Sequence, residues 1–426
     1  MQLLKTTYTD FSLQFQTLVS DRREATVDVS GTVKNILADV KVRGDAAVKE
    51  YTSRFDHYHP PSLLLSPEFI AQRAAQCGAE VKAALELAAS RIGIFHQKQL
   101  PQNIGYTDTV GVQLGLNWLP LSRVGIYVPG GRASYPSSVL MNALPAKIAG
   151  VETIVMAVPM PAGEINPAVL AAAQIAGVTE IYSMGGAQAI AALAYGTQSL
   201  TPVDKIVGPG NAYVAEAKRQ VFGIVGIDSV AGPSEILVVA DSQNHPEWIA
   251  WDLLSQAEHD PSAQSILITD SANFAEKVIT TIDHILTNLP TQEVARTSWQ
   301  QHGAVIVVED LTESIPLLNQ LAPEHVELCV DQPQLLASQI KCAGSIFLGR
   351  YTPEAIGDYL GGPNHVLPTA RSARFASGLS VYDFLKRITY LECSQQALQT
   401  IGKAAVTLAE AEGLPAHGGS VSVRLQ

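Results

Sequence analysis

The first 110 residues of the chain carry apolar residues at helical spacing. Val33, Ile36 and Val40 recur three to four positions apart, a period that places them on one face of an amphipathic helix. Ser30 stands just before this run and can accept a hydrogen bond from one of the first free backbone N–H groups. The pattern predicts a mainly helical N-terminal region, in which another helix begins at Ser66-Pro67-Glu68.

From Arg123 onward the pattern changes to short apolar runs, rich in β-branched residues, that alternate with longer helical stretches. Runs that are apolar throughout are typical of parallel strands covered on both faces. The predicted strands are Val124–Val128, Thr153–Val158, Glu180–Ser183, Lys205–Val207, Ile236–Ala240, Ser265–Thr269, Ala304–Val308, Val326–Val330 and Ser345–Leu348. Helices are predicted to begin at Asn166-Pro167, at Pro246-Glu247 and at Asp331.

Nine strands are more than one mononucleotide-binding half needs. The pattern therefore predicts an α/β fold with two doubly wound, Rossmann-like parallel-sheet domains, joined near Ser234. Small helical segments are predicted at the N-terminus and at the C-terminus, where the chain after about Val381 is expected to return to helix.

Composition limits the partners of the chain. At 426 residues it is long enough for about two to three domains, and its four cysteines form no CxxC pair, so neither a disulfide framework nor a thiolate zinc site is expected. A net charge of −12 without a basic cluster argues against nucleic acid as a partner. The most apolar stretch, near Val139–Met160, contains Lys147 and Glu152 and is expected to be core, so no membrane association is predicted. An N-terminus without signal-peptide features predicts a cytoplasmic protein.

Three glycine-rich segments follow predicted strands. Pro129-Gly130-Gly131 follows the strand that contains Tyr127, and Gly185-Gly186-Ala187-Gln188 and Gly208-Pro209-Gly210-Asn211 follow two later strands. Glycine allows a phosphate or a nucleotide to approach backbone amides at the start of a helix. None of the three is a GxGxxG motif, and each alone fits an ordinary turn equally well. Together they favour a nucleotide site.

A candidate metal site lies at the end of the helix predicted from Pro246. Gln256 and His259 are three positions apart, so their side chains share one face of that helix. This spacing suits a metal ion, although a helix-terminal histidine stabilised by the helix dipole fits equally well. Spacing alone indicates Glu258 or Asp260 as metal ligands just as strongly as Gln256.

Further carboxylates and imidazoles are scattered along the chain. Glu324-His325 stands at the entrance of a predicted strand, while Asp358 and Asn364-His365 lie in a segment broken by glycines. Glu412 and His417 belong to the terminal segment. Reactive groups collect in loops at strand ends, yet each of these residues taken singly is also an ordinary solvated polar residue. Spacing does not show that they form one site.

Ordered motifs along nearly the whole chain resemble those of the histidinol dehydrogenase family. The matching segments are Val42 to Ala47, Tyr51 to Asp56, Arg123 to Gly131, Pro136 to Ala143, Gly185 to Ile190, Val207 to Asn211, Glu216 to Val221, Ala231 to Glu235, Leu254 to His259, Ala322 to His325, Gly361 to Thr369 and Ala411 to His417. A single match of this kind is weak, but so many in order are highly specific.

The resemblance implies a role for each candidate residue. The implied ligands of one Zn²⁺ per subunit are Gln256, His259, Asp358 and His417. The implied acid/base pair is Glu324 and His325. The implied substrate contacts are Ser234, Gln256, His259, His325, Asp358, Glu412 and His417. The implied NAD contacts are Tyr127, Gln188 and Asn211, and His365 is expected near the oxidised end of the substrate.

The predicted organisation has four parts. Residues 1–23 form an N-terminal helical segment, residues 24–110 with 235–380 form a first α/β domain that carries the zinc and catalytic residues, and residues 111–234 form a second, NAD-binding α/β domain. Residues 381–426 form a C-terminal dimerisation arm. Because family members are homodimers whose arm crosses to the partner, Glu412 and His417 are expected to enter the neighbouring active site.

The activity implied by the resemblance is the four-electron oxidation of L-histidinol to L-histidine through histidinal, with two NAD, in histidine biosynthesis. Zinc is expected to position the substrate, His325 to act as general base and Glu324 to activate water. A related zinc dehydrogenase for another amino or hydroxy alcohol stays an alternative, as does a zinc hydrolase in which Glu324 activates a metal-bound water. A non-catalytic metal-binding protein is disfavoured by Glu324-His325.

Overall fold

The computed structural model describes residues 1–21, 28–130, 135–230 and 232–426. The strands are β1 (Gln2–Lys5), β2 (Ile104–Thr107), β3 (Val112–Pro120), β4 (Arg123–Tyr127), β5 (Thr153–Val158), β6 (Glu180–Ser183), β7 (Lys205–Val207), β8 (Gly226–Ile227), β9 (Glu235–Ala240), β10 (Gln264–Thr269), β11 (Ala304–Val307), β12 (His325–Cys329), β13 (Ser345–Leu348) and β14 (Leu385–Cys393). The helices are α1 (Phe11–Ser20), α2 (Ser30–Arg43), α3 (Asp45–Asp56), α4 (Pro67–Ala74), α5 (Ala79–Gln97), α6 (Pro136–Ala149), α7 (Pro167–Ala176), α8 (Gly186–Tyr195), α9 (Ala212–Val221), α10 (Pro246–Ala257), α11 (Ala272–Ile285), α12 (Gln292–His302), α13 (Ser314–Leu321), α14 (Pro333–Ala337), α15 (Glu354–Tyr359), α16 (Gln395–Ala411) and α17 (Pro415–Ser422).

A six-stranded parallel sheet has the strand order β1-β11-β10-β9-β12-β13. If β9 is numbered 1, β10 2, β11 3, β12 4 and β13 5, the last five strands have the spatial order 3-2-1-4-5, which is the doubly wound order. Every residue of β9 and β10 is buried. Leu237 and Val239 pack on one face of the sheet, and Ile236 and Val238 pack on the other. Burial on both faces explains why these strands are apolar throughout.

A five-stranded parallel sheet has the order β6-β5-β4-β7-β8, which is the same doubly wound order counted from β4. Its strands are also covered on both faces, because Ile154 and Met156 of β5 enter one core cluster and Val155 and Ala157 enter another. All nine predicted strands are present, and the prediction of two doubly wound α/β units is confirmed.

Two segments that the pattern assigned to helical ends contain strands. Gln2–Lys5 forms β1 at the edge of the six-stranded sheet, and Leu385–Cys393 forms β14, which pairs antiparallel with β3 in the three-stranded sheet β14-β3-β2. The expected return to helix after Val381 was therefore wrong for this stretch. Most residues of β14 are exposed, so it has no run of buried apolar residues for a sequence pattern to detect.

The helices of residues 30–97 pack on the five-stranded sheet. Val33 of α2 joins the core cluster of Tyr127, and Leu85 and Ile92 of α5 join that of Val124. This packing departs from the predicted grouping of residues 24–110 with 235–380, because a helical period shows which face is buried but not which sheet covers it. The predicted boundary at 23/24 lies outside the described residues.

The two sheets present opposite ends to one cleft. β4 and β7 are neighbours at the position where the strand order reverses. The loops that follow their carboxyl ends diverge there, and the crevice between them can hold a ligand. The six-stranded sheet contributes the amino ends of β9 and β12. No helix in the described ranges has the length and apolar character to span a bilayer.

Candidate active site

A cleft of about 950 Å³ brings together most of the predicted site residues. Its walls come from the loops after β4 and β7, the entrances of β9 and β12, the end of α10 and helix α15. The predicted site residues that line it are Asn211, Ser234, Gln256, His259, Glu324, His325, Asp358 and His365. Tertiary packing thus joins carboxylates, imidazoles and glycine-rich loops that are far apart in the sequence.

His325 is held in one orientation and one tautomer. Its side chain is buried, and Nδ1 lies 3.0 Å from the carbonyl oxygen of Glu235. A carbonyl oxygen only accepts hydrogen bonds, so Nδ1 carries the proton and Nε2 is left with its lone pair. Nε2 is buried without a hydrogen-bond partner among the described residues. This arrangement suits a proton acceptor aimed at a substrate.

Burial shifts the two neighbouring groups in opposite directions. Desolvation lowers the pKa of His325, so its imidazole stays neutral below the ordinary histidine value of 6.5. Desolvation and then the nearby Glu235 carboxylate raise the pKa of Glu324 well above 4.5. The Glu324 carboxylate accepts a hydrogen bond from the backbone N–H of Glu235 at 3.1 Å and lies 3.7 Å from His325 Nδ1. The shift of Glu324 moves its pKa towards neutral pH, and the shift of His325 keeps its imidazole unprotonated there, so that it can accept a proton.

Gln256, His259 and Asp358, three of the predicted metal ligands, all line the cleft. Nδ1 of His259 donates to the carbonyl oxygen of Ser255 at 2.8 Å, which leaves Nε2 as the free donor atom for a cation. Gln256 is almost fully buried, yet its Oε1 has no hydrogen-bond partner among the described residues. Desolvation, followed by the charge of Glu354, raises the pKa of Asp358 to about 6. A divalent cation would satisfy all three groups.

Glu354 is a site residue that the sequence analysis missed. Its buried side chain lines the cleft, with Oε1 3.6 Å from Nε2 of His325 and Oε2 accepting from the Ser255 hydroxyl at 3.2 Å. Single potential ligand atoms of His325, Glu354 and Asp358 all lie within 4.8 Å of one another. The sequence did contain a signal, since Glu354 and Asp358 are four positions apart and therefore share a helix face.

His365 connects the two sides of the cleft. Its Nδ1 donates to the backbone carbonyl of Asp358 at 3.0 Å, and Nε2 lies 3.4 Å from the hydroxyl of Ser138 at the start of α6. The neighbouring Asn364 amide donates to the carbonyl of Met141, also in α6, at 2.6 Å. Burial lowers the pKa of His365. The loop after α15 is therefore tied to the first helix of the five-stranded sheet.

The Gly208 loop is held by a buried ion pair. Lys218 on α9 pairs with Asp228 and donates to the carbonyl of Gly208 at 3.0 Å, while Asp228 accepts from the Gly208 N–H at 2.8 Å. Gly208 has φ +116°, and a Cβ there would lie 2.2 Å from the carbonyl oxygen of Tyr127. Only glycine fits this turn. Asn211 caps α9 by accepting from Tyr213 and Val214.

We expect Lys218→Met to lower the free energy of unfolding by about 3–5 kcal/mol, because it leaves the buried Asp228 carboxylate without its cation. Urea unfolding at neutral pH measures the loss. The double variant Lys218→Met/Asp228→Asn is the control: it removes the stranded charge, keeps an acceptor for the Gly208 N–H and should recover part of the stability. A loss below about 1 kcal/mol for Lys218→Met would contradict this account.

The remaining predicted NAD contacts lie behind the cleft wall. The Tyr127 hydroxyl accepts from the Gly186 N–H at 3.0 Å, and burial raises the pKa of Tyr127 to about 12. Gln188 is 1% exposed, and neither side chain lines the cleft. Their contact with NAD stays a prediction. Gly131, the last residue of the first glycine-rich segment, lies outside the described residues.

Glu412 and His417 do not line the cleft of their own subunit. Glu412 directly follows α16, His417 belongs to α17, and both side chains are exposed. The two helices pack against each other. These residues are thus separated from Gln256, His259 and Asp358 within one chain.

Comparisons with known proteins agree with the resemblance seen in the motifs. The family model for histidinol dehydrogenase matches residues 19–425. Histidinol dehydrogenase 1 of Trichormus variabilis is 82% identical over 100% of this chain and 99% of its own length, and histidinol dehydrogenase of Ruegeria pomeroyi is 59% identical over 100% and 98%. The crystal structure of histidinol dehydrogenase from Elizabethkingia anophelis matches this chain with a TM-score of 0.95 and 37% sequence identity. The match covers 100% of this chain and 98% of that chain. The shared fold and these matches together show that the chain belongs to the histidinol dehydrogenase family.

Proposed function

We propose that this protein is an NAD-dependent, zinc-containing L-histidinol dehydrogenase that oxidises L-histidinol to L-histidine through histidinal, in histidine biosynthesis. The observation that carries the proposal is the buried His325 in the cleft: its Nδ1 is committed to the Glu235 carbonyl, its Nε2 has no hydrogen-bond partner among the described residues, and the Glu324 carboxylate lies 3.7 Å from Nδ1 of the same ring. A fixed imidazole lone pair next to a second base suits a reaction that removes an alcohol proton and later activates water.

Zinc would be held by Gln256, His259 and Asp358 of one subunit and by His417 of its partner. Gln256 Oε1 supports this set, because a buried carbonyl oxygen without a hydrogen-bond partner among the described residues is costly unless another group satisfies it. The alternative set of His325, Glu354 and Asp358 would consume the lone pair of the proposed base. When bound, the ion supplies a positive charge that orients the imidazole and amino groups of the substrate.

The nucleotide would occupy the part of the cleft between the loops after β4 and β7. This is the position where strand order reverses, and Gly210 and Asn211, just before the start of α9, line it. When bound, NAD supplies the hydride acceptor for each of the two oxidations. The Lys218–Asp228 pair keeps the Gly208 turn in place for that approach.

The residues of the chain would move protons in three steps. His325 Nε2 takes the hydroxyl proton as the alcohol carbon is oxidised to the aldehyde. Glu324 then takes a proton from water as the oxygen adds to the aldehyde carbon, and the protonated His325 gives its proton to the aldehyde oxygen, which yields a gem-diol. Glu324 releases its proton to solvent. His325, neutral again, takes a hydroxyl proton of the gem-diol, and the second oxidation gives the carboxylic acid, which ionises to the carboxylate. The sum is one water consumed and four electrons removed.

The direct test is the appearance of NADH absorbance when L-histidinol is added to the zinc-loaded protein with NAD. Two NADH per L-histidinol, with L-histidine as the product, are expected. A matched panel of amino alcohols without the imidazole should give little NADH, because these compounds lack the ring that would contact the cation. Absence of NADH with L-histidinol, or equal rates across the panel, would contradict the proposal.

We expect Glu324→Gln to lower the overall rate by about 10²-fold while the first oxidation is largely retained. The amide cannot accept the proton of water, but Gln keeps an acceptor oxygen for the Glu235 N–H. Single-turnover kinetics should therefore give about one NADH per site, with histidinal trapped by an aldehyde reagent. Equal loss of both oxidations would show that Glu324 acts in the first as well.

A further inference from the structure

Behind the cleft lies a pair of carboxyl groups that the mechanism above does not use. Asp252 of α10 and Glu327 of β12 lie close together: potential ligand atoms of Asp252, Glu327 and Cys329 are within 4.8 Å of one another, and Glu327 is fully buried. Burial raises the pKa of Asp252 to about 6 and also raises that of Glu327.

Glu327 also reaches the helix that carries Asp358. Its Oε1 accepts from the backbone N–H of Glu354, the first residue of α15, at 2.6 Å. The first N–H groups of a helix have no partner inside the helix, and a carboxylate is favourable at that end. α15 has six residues, too few for a helix to be stable by itself. Its position therefore depends on such tethers, with Arg91 bonded to the Leu360 carbonyl at the other end.

The pair connects three elements that each carry site residues. α10 carries Gln256 near its end, β12 begins with His325, and α15 carries Glu354 and Asp358. We infer that Glu327, which lies beside Asp252 and accepts from the Glu354 N–H, is a positioning residue that fixes α10 and β12 to the start of α15 and thereby sets the metal ligands relative to the base. Part of this inference rests on the proposed zinc site.

Variants of Glu327 separate positioning from general stability. Glu327→Gln keeps an acceptor for the Glu354 N–H and can donate to an Asp252 carboxylate, so it should retain zinc affinity close to that of the unsubstituted protein. Glu327→Leu has similar volume but no polar atom, and we expect its zinc affinity to fall about 10- to 100-fold. Leu193→Ala, in the buried core of the five-stranded sheet on α8, is the control: it lowers stability but should leave zinc affinity unchanged.

Hydrogen exchange in the metal-free protein gives a readout that requires neither zinc nor activity. Amides of residues 352–360 should exchange about tenfold faster in Glu327→Leu than in Glu327→Gln or Leu193→Ala. Equal exchange in all three variants, unchanged zinc affinity in Glu327→Leu, or equal losses in Glu327→Gln and Glu327→Leu would each overturn the inference. Since exchange is measured without substrate, a protein that failed to oxidise L-histidinol would contradict the proposed function and leave this result standing.

Discussion

Replacing His325 by Asn is expected to lower turnover with L-histidinol by about 10²- to 10⁴-fold and to leave the zinc content unchanged. Asn can place an amide N–H near the Nδ1 position and so keep the bond to the Glu235 carbonyl, but it has no basic atom in place of Nε2. Steady-state NADH formation measures the turnover, and metal analysis after dialysis measures the zinc.

The matched control is His365→Asn, which removes a second, partly buried imidazole of the cleft. Its Nε2 already faces the Ser138 hydroxyl, so we expect a loss of at most about tenfold, below the usual value of a general base. Turnover that is unchanged in His325→Asn would refute the role of His325 as base. Loss of zinc in that variant would instead favour the ligand set of His325, Glu354 and Asp358.

The pH dependence gives an independent check on the same assignment. The neutral imidazole is the active form, and burial lowers the pKa of His325, so this residue alone would allow kcat/KM to persist below pH 6.5 and then fall as the imidazole protonates. The raised pKa of Glu324 acts in the opposite direction, because its carboxylate is lost at a higher pH than usual. The acid limb of the first oxidation, measured in Glu324→Gln, should therefore lie at lower pH than the acid limb of the overall reaction in the unsubstituted protein.

A heterodimer of His325→Asn and His417→Ala subunits should recover about half of the full activity, although each homodimer is inactive. In the proposed assembly the body of one subunit meets the arm of the other. One site of the heterodimer then combines both substitutions, and the other combines an intact body with an intact arm. Coexpression with two different affinity tags allows the heterodimer to be purified, and NADH formation measures its activity.

The control heterodimer carries His325→Asn in one subunit and Asp358→Ala in the other. Both substitutions affect the body, so each of its two sites stays damaged and no activity should return. If each site were built within a single chain, the first heterodimer would be as inactive as the control. The exposed positions of Glu412 and His417, away from the cleft of their own subunit, are the observation that motivates this test.

The strands of the two parallel sheets were predictable because their signal is local. β9 and β10 are buried on both faces, and that burial demands apolar residues at every position. The start of α7 was equally clear, since Asn166 caps it by accepting from the Ala168 N–H and Pro167 follows. β14 lacked such a signal because it is an exposed strand that depends on pairing with β3.

Within the site, motifs nominated Gln256, His259, Glu324, His325 and Asp358, and the fold gathers all five in one cleft. Glu354 escaped notice because a lone Pro-Glu helix start is common on protein surfaces. Its role depends on being buried beside His325, which is set by the packing of α15 against α10 and β12 and by no neighbour in the sequence.

The amino-acid pattern alone was enough to establish the α/β class, the strands and the glycine-rich turns, because secondary structure and turns depend on residues a few positions apart. The chemical state of the site came from tertiary contacts. The tautomer of His325 is set by the Glu235 carbonyl 90 positions away, and its lowered pKa is set by the walls that exclude water. Burial and long-range hydrogen bonds control protonation, and they exist only once the two sheets enclose the cleft.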